Sequence, residues 1–461
     1  MNSPFNEQKY KSLLEGLEIT EIKYSEYQKT YRLRLDSEYY LKQFLLNEEY
    51  LISNVKILEL CYQNVLNIKN FSLNKSFNYL EISDVKSNNI DYSYDKIDYK
   101  AIPDRATYVL RNNDVVISTV RPNRNSVALV QNAKRLVGTS GFTVLRANKS
   151  KIFPEYLYAF CKTKYFITKL MRENTATMYP AVSDYDILNM KIPVLSDDFQ
   201  KQIYIKIRSS LQYIEQSQSL QHQAEELLLE TIGLKKFKPS AKGTNIKTFK
   251  KSFLTTGRLD AEYYQLKYEK IENKVKKYKD GFSCIGEQFK QNKITIDHAE
   301  KLYNYIEIGD INVENGSYVS NIIDVVELPA NAKIKGKCGD LLISKVRPNR
   351  GAVSIIDKNI HNLVVSGAFT VLEEKGKYKK EVLFVLLRTF YYKEWLLKFN
   401  VGTSYPVIKD EDVLTLPIPL IEKKIQHKIA GLIEESFNLR RESEKLLEEA
   451  KEMVEREIEK G

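Results

Sequence analysis

The chain repeats itself. Arg34-Leu-Asp-Ser-Glu-Tyr-Tyr40 returns as Arg258-Leu-Asp-Ala-Glu-Tyr-Tyr264, at an offset of 224. Tyr79-Leu-Glu-Ile-Ser-Asp-Val85 returns as Tyr305-Ile-Glu-Ile-Gly-Asp-Ile311, and Asp114-Val-Val-Ile-Ser-Thr-Val-Arg-Pro-Asn-Arg124 as Asp340-Leu-Leu-Ile-Ser-Lys-Val-Arg-Pro-Asn-Arg350, both at 226. Phe142-Thr-Val-Leu145 matches Phe369-Thr-Val-Leu372 at 227, and 174–193 matches 400–419 at 226. Blocks that stay collinear at a nearly constant offset mark a tandem duplication, so whatever one half folds into, the other half folds into as well.

Each half ends in a different kind of sequence. From Ile425 the apolar or small residues fall at Ile429, Leu432, Ser436, Leu439, Ser443, Leu446, Ala450 and Met453, alternating steps of four and three. That is the rhythm of a helical seam facing another helix. Subtracting 226 gives Phe199, Ile203, Lys206, Ser210, Tyr213, Ser217, Leu220, Ala224 and Leu227, with Lys206 as a defect and a more polar stretch at 216–223. Pairing of the two helices and packing of each on its own domain are both compatible with this pattern, and the 3.5-residue rhythm favours pairing. Related units usually meet across a two-fold axis. With the short connector 238–256 between them, an antiparallel pair places the second domain within easy reach, whereas a parallel pair would stretch the connector towards its limit.

Within each half, β-branched runs at 115–120, 126–130 and 141–145 and their counterparts predict strands, and 155–170 and 382–399 predict helices. The fold expected is α+β: two tandem domains, 1–195 and 257–420, separated by an antiparallel pair of long coiled-coil helices, 196–237 and 421–461. With Lys and Arg exceeding Asp and Glu by 71 to 60, the net charge is +11. Residues 421–461 hold nine Lys or Arg against eleven Glu, so the basic excess lies elsewhere in the chain. A polyanion is the partner such a surface favours. The four cysteines form no CxxC, which fits reduced thiols. No apolar run approaches the roughly 20 residues of a membrane span. A cytoplasmic protein without membrane contact is expected.

Two elements carry candidate chemistry. Arg121, Asn123 and Arg124, repeated as Arg347, Asn349 and Arg350, sit on a Pro-Asn turn between two strands, with Lys345 just before the second copy. Arginine grips phosphate or pairs bidentately with guanine, and Asn pairs with adenine. A hairpin turn whose arginines make internal ion pairs is the other reading of these residues. Thr177 and Tyr179, with Ser404 and Tyr405 in the second copy, lie on hydroxyl-rich loops before a proline. Such loops hold phosphate or base edges, or simply form a capped turn around a buried Tyr. Asp36 and Asp260 read as structural partners of Arg34 and Arg258. No GxGxxG, no GxxxxGK[ST] and no Asn-Pro-Pro-Tyr is present, and no catalytic or metal-ligating set is evident.

The order strand, VRPNR, strand, then SGFTVL or SGAFTVL, T-x-Y-P, Ile-Pro, Gln200 or Gln426 and a long helix, all twice, resembles the DNA-specificity subunit of type I restriction-modification systems. That resemblance implies two target-recognition domains, each reading one half of a bipartite double-stranded DNA site. It also implies that the helices serve as spacer and as dock for methyltransferase subunits, with a motor-nuclease subunit joining indirectly. S-adenosylmethionine would then be bound by those partners, and this chain would need no cofactor and catalyse nothing. On the same basis the two arginine turns would face DNA, with Thr177, Tyr179, Ser404 and Tyr405 nearby. The recognition subunit of a related single-partner system, or a non-enzymatic scaffold with basic protein-binding domains, are the alternatives.

Overall fold

The computed structural model describes residues 6–28, 33–51, 55–62, 67–68, 76–85, 90, 92–174, 180–239, 244–402 and 405–460. It divides into two compact units: Met1–Ile214 with Arg441–Gly461, and Glu215–Arg440. Each mixes helices with two four-stranded sheets, and the sheet order is the same in both.

In the first unit, Asp114–Ser118 is the inner strand, antiparallel to Phe142–Ala147 on one side and Val127–Leu129 on the other. All five of its residues are buried, because the strand is covered on both faces and needs apolar side chains on each. Val115 and Ile117 pack with the helix Pro154–Lys162, while Val116 points the opposite way to meet Leu80, Leu136 and Phe142. Each such Val or Ile contributes about 1.5–3 kcal/mol by leaving water. The second sheet runs Asp95–Ile97, Phe77–Leu80, Leu136–Thr139, Ala106–Val109, with its central pair parallel and the outer pairs antiparallel. In the second unit Leu341–Ser344 takes the inner place between Phe369–Glu374 and Val353–Ile355. Its alternate residues divide in the same way, Leu341 and Ile343 towards the helices and Leu342 towards the second sheet.

The helices predicted over 155–170 and 382–399 are each broken. Pro154–Lys162 is followed by Lys164–Arg172, and Lys380–Arg388 by Phe390–Leu396 and the short 3₁₀ turn Leu397–Phe399. The break falls on Thr163 and Thr389, both extended and fully buried. Each hydroxyl donates to a carbonyl of the preceding helix, Phe160 or Leu386 (2.7 Å each), and accepts the third N–H of the next. A threonine that caps in this way outcompetes helix continuation.

The long helices span Asp197–Thr231 and Lys423–Lys460. The first ends at Gly233, whose left-handed backbone (φ +68°) suits a helix stop. Their buried stripes keep the alternating rhythm but differ from the sequence expectation at every second place. Ile207 and Ile214 are buried rather than Lys206 and Tyr213; Ile433, Arg440, Leu447 and Val454 are buried rather than Leu432, Leu439, Leu446 and Met453. Two surfaces decide the burial, a neighbouring helix and the unit's own core, so the stripe shifts towards the core. Lys206 is therefore no defect: it lies beside the stripe, its ammonium 2.6 Å from Glu449.

Inside the first unit, Ser210 and Ser443 share a hydroxyl hydrogen bond of 2.7 Å, and Ser210 also donates to the Ser443 carbonyl. Inside the second unit, Ser217 and Ser436 do the same at 2.8 Å, with Ser436 donating to the Ser217 carbonyl. All four serines are buried. Ser436→Leu is expected to lower the thermal midpoint of the second unit, by about 1–3 kcal/mol of overpacking in addition to the lost hydrogen bonds. An unchanged melting curve would contradict this close approach.

Candidate nucleic-acid interface

The two arginine turns have one geometry. Pro122–Arg124 and Pro348–Arg350 form single 3₁₀ turns, entered by Arg121 (φ 51°, ψ 59°) and Arg347 (φ 49°, ψ 53°) in left-handed conformation. A following proline already disfavours the right-handed helical region. Left-handed backbone at a residue with a side chain is strained, and such strain persists only where the surroundings hold it. Here the hold is visible. Arg121 N–H donates to the Pro180 carbonyl and Arg347 N–H to the Pro406 carbonyl, both at 2.7 Å. Ser118 and Ser344, at the strand ends, each donate to the carbonyl two residues on (2.7 Å) and receive its N–H in return (3.2 Å). Each turn closes on a left-handed residue, Asn125 or Gly351. At Gly351 (φ +77°) a Cβ would also lie 2.9 Å from Cδ of Lys393.

These ties join the two elements singled out in the sequence. The prolines that end the T-x-Y-P motifs, Pro180 and Pro406, lie against the arginine turns, and the residues after them bridge back, Ala181 to Val120 and Val407 to Val346. Arg347 lies over the Tyr405 ring at 5.5 Å, where the ring face favours a cation. Both line a cleft of about 350 Å³, with Ile308, Ile311 and Val346 among its apolar walls and Arg350 at its edge. Asn123, Arg124, Arg347, Asn349, Arg350 and Tyr405 are exposed, and Arg121 is half-buried. Among the described residues Arg350 makes no ion pair. Thr177, Tyr179 and Ser404 lie outside the described residues. Lys345 is already engaged: its ammonium is 3.1 Å from Asp410, which also accepts from the Thr370 hydroxyl at 2.6 Å. These partners hold the Asp410 carboxyl below the usual range despite its burial.

The Arg-Leu-Asp blocks tie down the residue that precedes each of these segments, Asn174 or Asn400. Arg34 grips Asp36 through Nε (2.8 Å) and donates to the Asn174 carbonyl (2.8 Å); Arg258 grips Asp260 (2.7 Å) and donates to the Asn400 carbonyl (2.9 Å). Asp36 and Asp260 are therefore structural partners, and these hydrogen bonds hold both carboxyls below their usual range. The side-chain oxygens of Asn174 and Asn400 then accept from the backbone N–H of Ala181 and Val407. Sequence reasoning missed this reach across the chain, although the recurrence of both blocks in both halves was its signal.

At the base of the inner strand the units diverge. Asp114 accepts two hydrogen bonds from Arg146 (2.8 and 2.7 Å). In the second unit Glu373 replaces that arginine on the neighbouring strand, and among the described residues Asp340 accepts from Asn292 (3.2 Å) and the Lys337 backbone (3.0 Å). Burial pushes the Asp340 carboxyl up to about 6, and Glu373 adds to the rise. A carboxyl raised in the fold stabilises below its ordinary pKa, and that contribution is lost as pH rises through about 6. Asp340→Asn is expected to flatten the melting profile of the second unit between about pH 4 and pH 7 and to raise its midpoint near neutrality. A variant with the wild-type pH profile would contradict the shift.

Residues 51–226 and 282–452, more than half of the chain, match the family described as type I restriction modification DNA specificity domain. The Haemophilus influenzae type I restriction enzyme HindI specificity subunit is 33% identical over 133 residues, 28% of this chain and 28% of that one, so the chain spans under a third of that relative. The Methanocaldococcus jannaschii MjaVIII specificity subunit is 26% identical over 357 residues, 75% of this chain and 78% of that one. Among solved structures, the HsdS subunit from Thermoanaerobacter tengcongensis is 20% identical, with a TM-score of 0.31, over 86% of this chain and 95% of that one. With the family's domain matched twice, once in each copy of the repeat, the chain belongs to the family of type I restriction-modification DNA specificity proteins.

Proposed function

We propose that the chain is the sequence-reading, non-catalytic subunit of a DNA modification complex, with each arginine turn set against the phosphates or base edges of one half of a bipartite site. The observation that carries this is the strained, cross-tied VRPNR turn, built twice with its asparagine and closing arginine exposed in both copies. Most protein–DNA hydrogen bonds go to phosphate and sugar, and an element common to both halves suits positioning the duplex better than choosing its sequence. Arg121, Asn123, Arg124, Arg347, Asn349 and Arg350 form the DNA-facing set, with Tyr405 beside it.

In this reading 1–195 and 257–420 are the target-recognition domains, and 196–237 and 421–461 are spacer helices paired as an antiparallel coiled coil. The serine pairs support the antiparallel arrangement, since the partner's number falls from 443 to 436 as the first helix advances from 210 to 217. Methyltransferase subunits dock on these helices and bring S-adenosylmethionine, a motor-nuclease subunit joins through them, and the assembly works in the cytoplasm. No helix among the described residues is long and apolar enough to cross a membrane.

Methylome sequencing of a host expressing this chain with a cognate methyltransferase subunit tests the reading. The expected motif has two defined halves around an unspecified gap of fixed length. A motif that is continuous, or no new methylation at all, would sink it.

A further inference from the structure

A cation lies directly beneath each arginine turn, buried in the first copy and half-buried in the second. Lys162 closes the helix Pro154–Lys162, and its ammonium donates to the carbonyl of Asn125, the residue that closes the first turn, at 3.4 Å. Asn125 reciprocates, its side-chain amide donating to the Lys162 carbonyl at 3.2 Å. At the same place in the second copy, Arg388 closes the helix Lys380–Arg388 and donates to the carbonyl of Gly351 at 3.4 Å. Arg388 also donates to the Glu314 carbonyl. Lys162 is only 3% exposed. Taking a charge out of water is costly, yet the first copy keeps one here and the second keeps a half-buried one, each on the last residue of a helix where the helix dipole favours it.

We propose that Lys162 and Arg388 are positioning residues for DNA binding, each holding the closing carbonyl of its arginine turn and so fixing the direction of Arg124 or Arg350. This rests on the turns facing DNA. The two copies use different cations, which separates positioning from simple stability. Burial pushes the Lys162 ammonium down to about 7, and the nearby Lys451 of the long C-terminal helix pushes the same way. On its own helix it neighbours Cys161 and the Tyr158 ring (5.8 Å); Arg124 lies on the turn it supports, and Lys164, which opens the next helix, is paired with Glu459. The Cys161 thiol is held well above its usual range by burial and stays neutral. Arg388 is lowered to about 10 and keeps its charge through neutral pH.

The sign is therefore opposite for folding and for binding. An unfolded lysine holds its proton to higher pH than Lys162 does, so stability rises with pH above about 7. DNA binding by the first turn falls over the same range as its prop loses charge. The test measures binding of the full chain to a labelled mixed-sequence DNA duplex at fixed salt, from about pH 6 to about pH 8.5, with thermal melting run in parallel. Wild-type affinity is expected to fall several-fold across that range. Lys162→Arg should flatten the profile, Arg388→Lys should steepen it, and Lys162→Met, which has no donor at all, should bind at the lower pH no more tightly than wild type does at the higher. Lys162→Arg with the wild-type profile, or Lys162→Met binding like wild type at the lower pH, would overturn the proposal. Arg124→Ala binding like wild type would instead remove the reading on which it rests.

Discussion

Alanine at both Arg347 and Arg350 is expected to weaken DNA binding strongly while leaving the second unit folded. Both side chains are exposed, and the turn that carries them is held by backbone and serine hydrogen bonds that the substitutions leave in place. The salt dependence tells what each arginine touches. Every phosphate of B-form DNA that is no longer neutralised makes the slope of log affinity against log salt shallower by about 0.9, so two phosphates shift it by about 1.8. An arginine bidentate to guanine instead costs about 1–3 kcal/mol at one base position and relaxes specificity there. Titrating wild type and variant at several salt concentrations separates these cases. Unchanged affinity and slope would place both arginines outside the interface.

Removing one heptad from each long helix is expected to shorten the gap between the two half-sites without changing either half. Deleting 211–217 and 437–443 brings Ser210 opposite Ser436, restoring a serine pair where two stood before. Seven helical residues span roughly 10 Å, about three base pairs of rise. The deletion also removes Phe437, which packs at 5.6 Å from Phe384, so some loss of stability accompanies it. Methylome sequencing with the shortened chain reads the result directly. A gap of unchanged length would refute the spacer role, whereas changed half-sites would refute the assignment of one domain to each half.

The inner strands, the arginine turns and the long helices could be read in the sequence because each rests on a local pattern: apolar runs, Pro-Asn, a seven-residue rhythm. The second sheet could not. Strands such as Phe77–Leu80 and Ala106–Val109 have four residues each, too few to show a period, and their partners lie far along the chain. The helix breaks at Thr163 and Thr389 were hidden because the apolar pattern continues through them. The seam was mistaken by one residue at alternate places because apolarity alone does not tell a side chain facing another helix from one facing the core. Lys345 showed only its charge, and its engagement with Asp410 depends on the start of a helix, Asp410–Leu414, some 65 residues away. The cations beneath the turns could have been found by aligning the two copies, since position 162 and position 388 are both basic at the end of an otherwise apolar helix.

The first unit is discontinuous in sequence, whereas Glu215–Arg440 is a single run. Its core includes Leu447, Ala450, Val454 and Ile458 together with Ile203, Ile207 and Phe166. Synthesis is vectorial, and domains fold as units once their residues have emerged. The second unit is therefore ready first, and the first waits for the stretch after 440, even though most of it was made earlier. During that wait the apolar face of Ile203 and Ile207 stands uncovered, a window in which a nascent chain is open to chaperones or to another copy's C-terminal helix. A released chain truncated after Arg440 should have one finished unit and one that proteases cut readily.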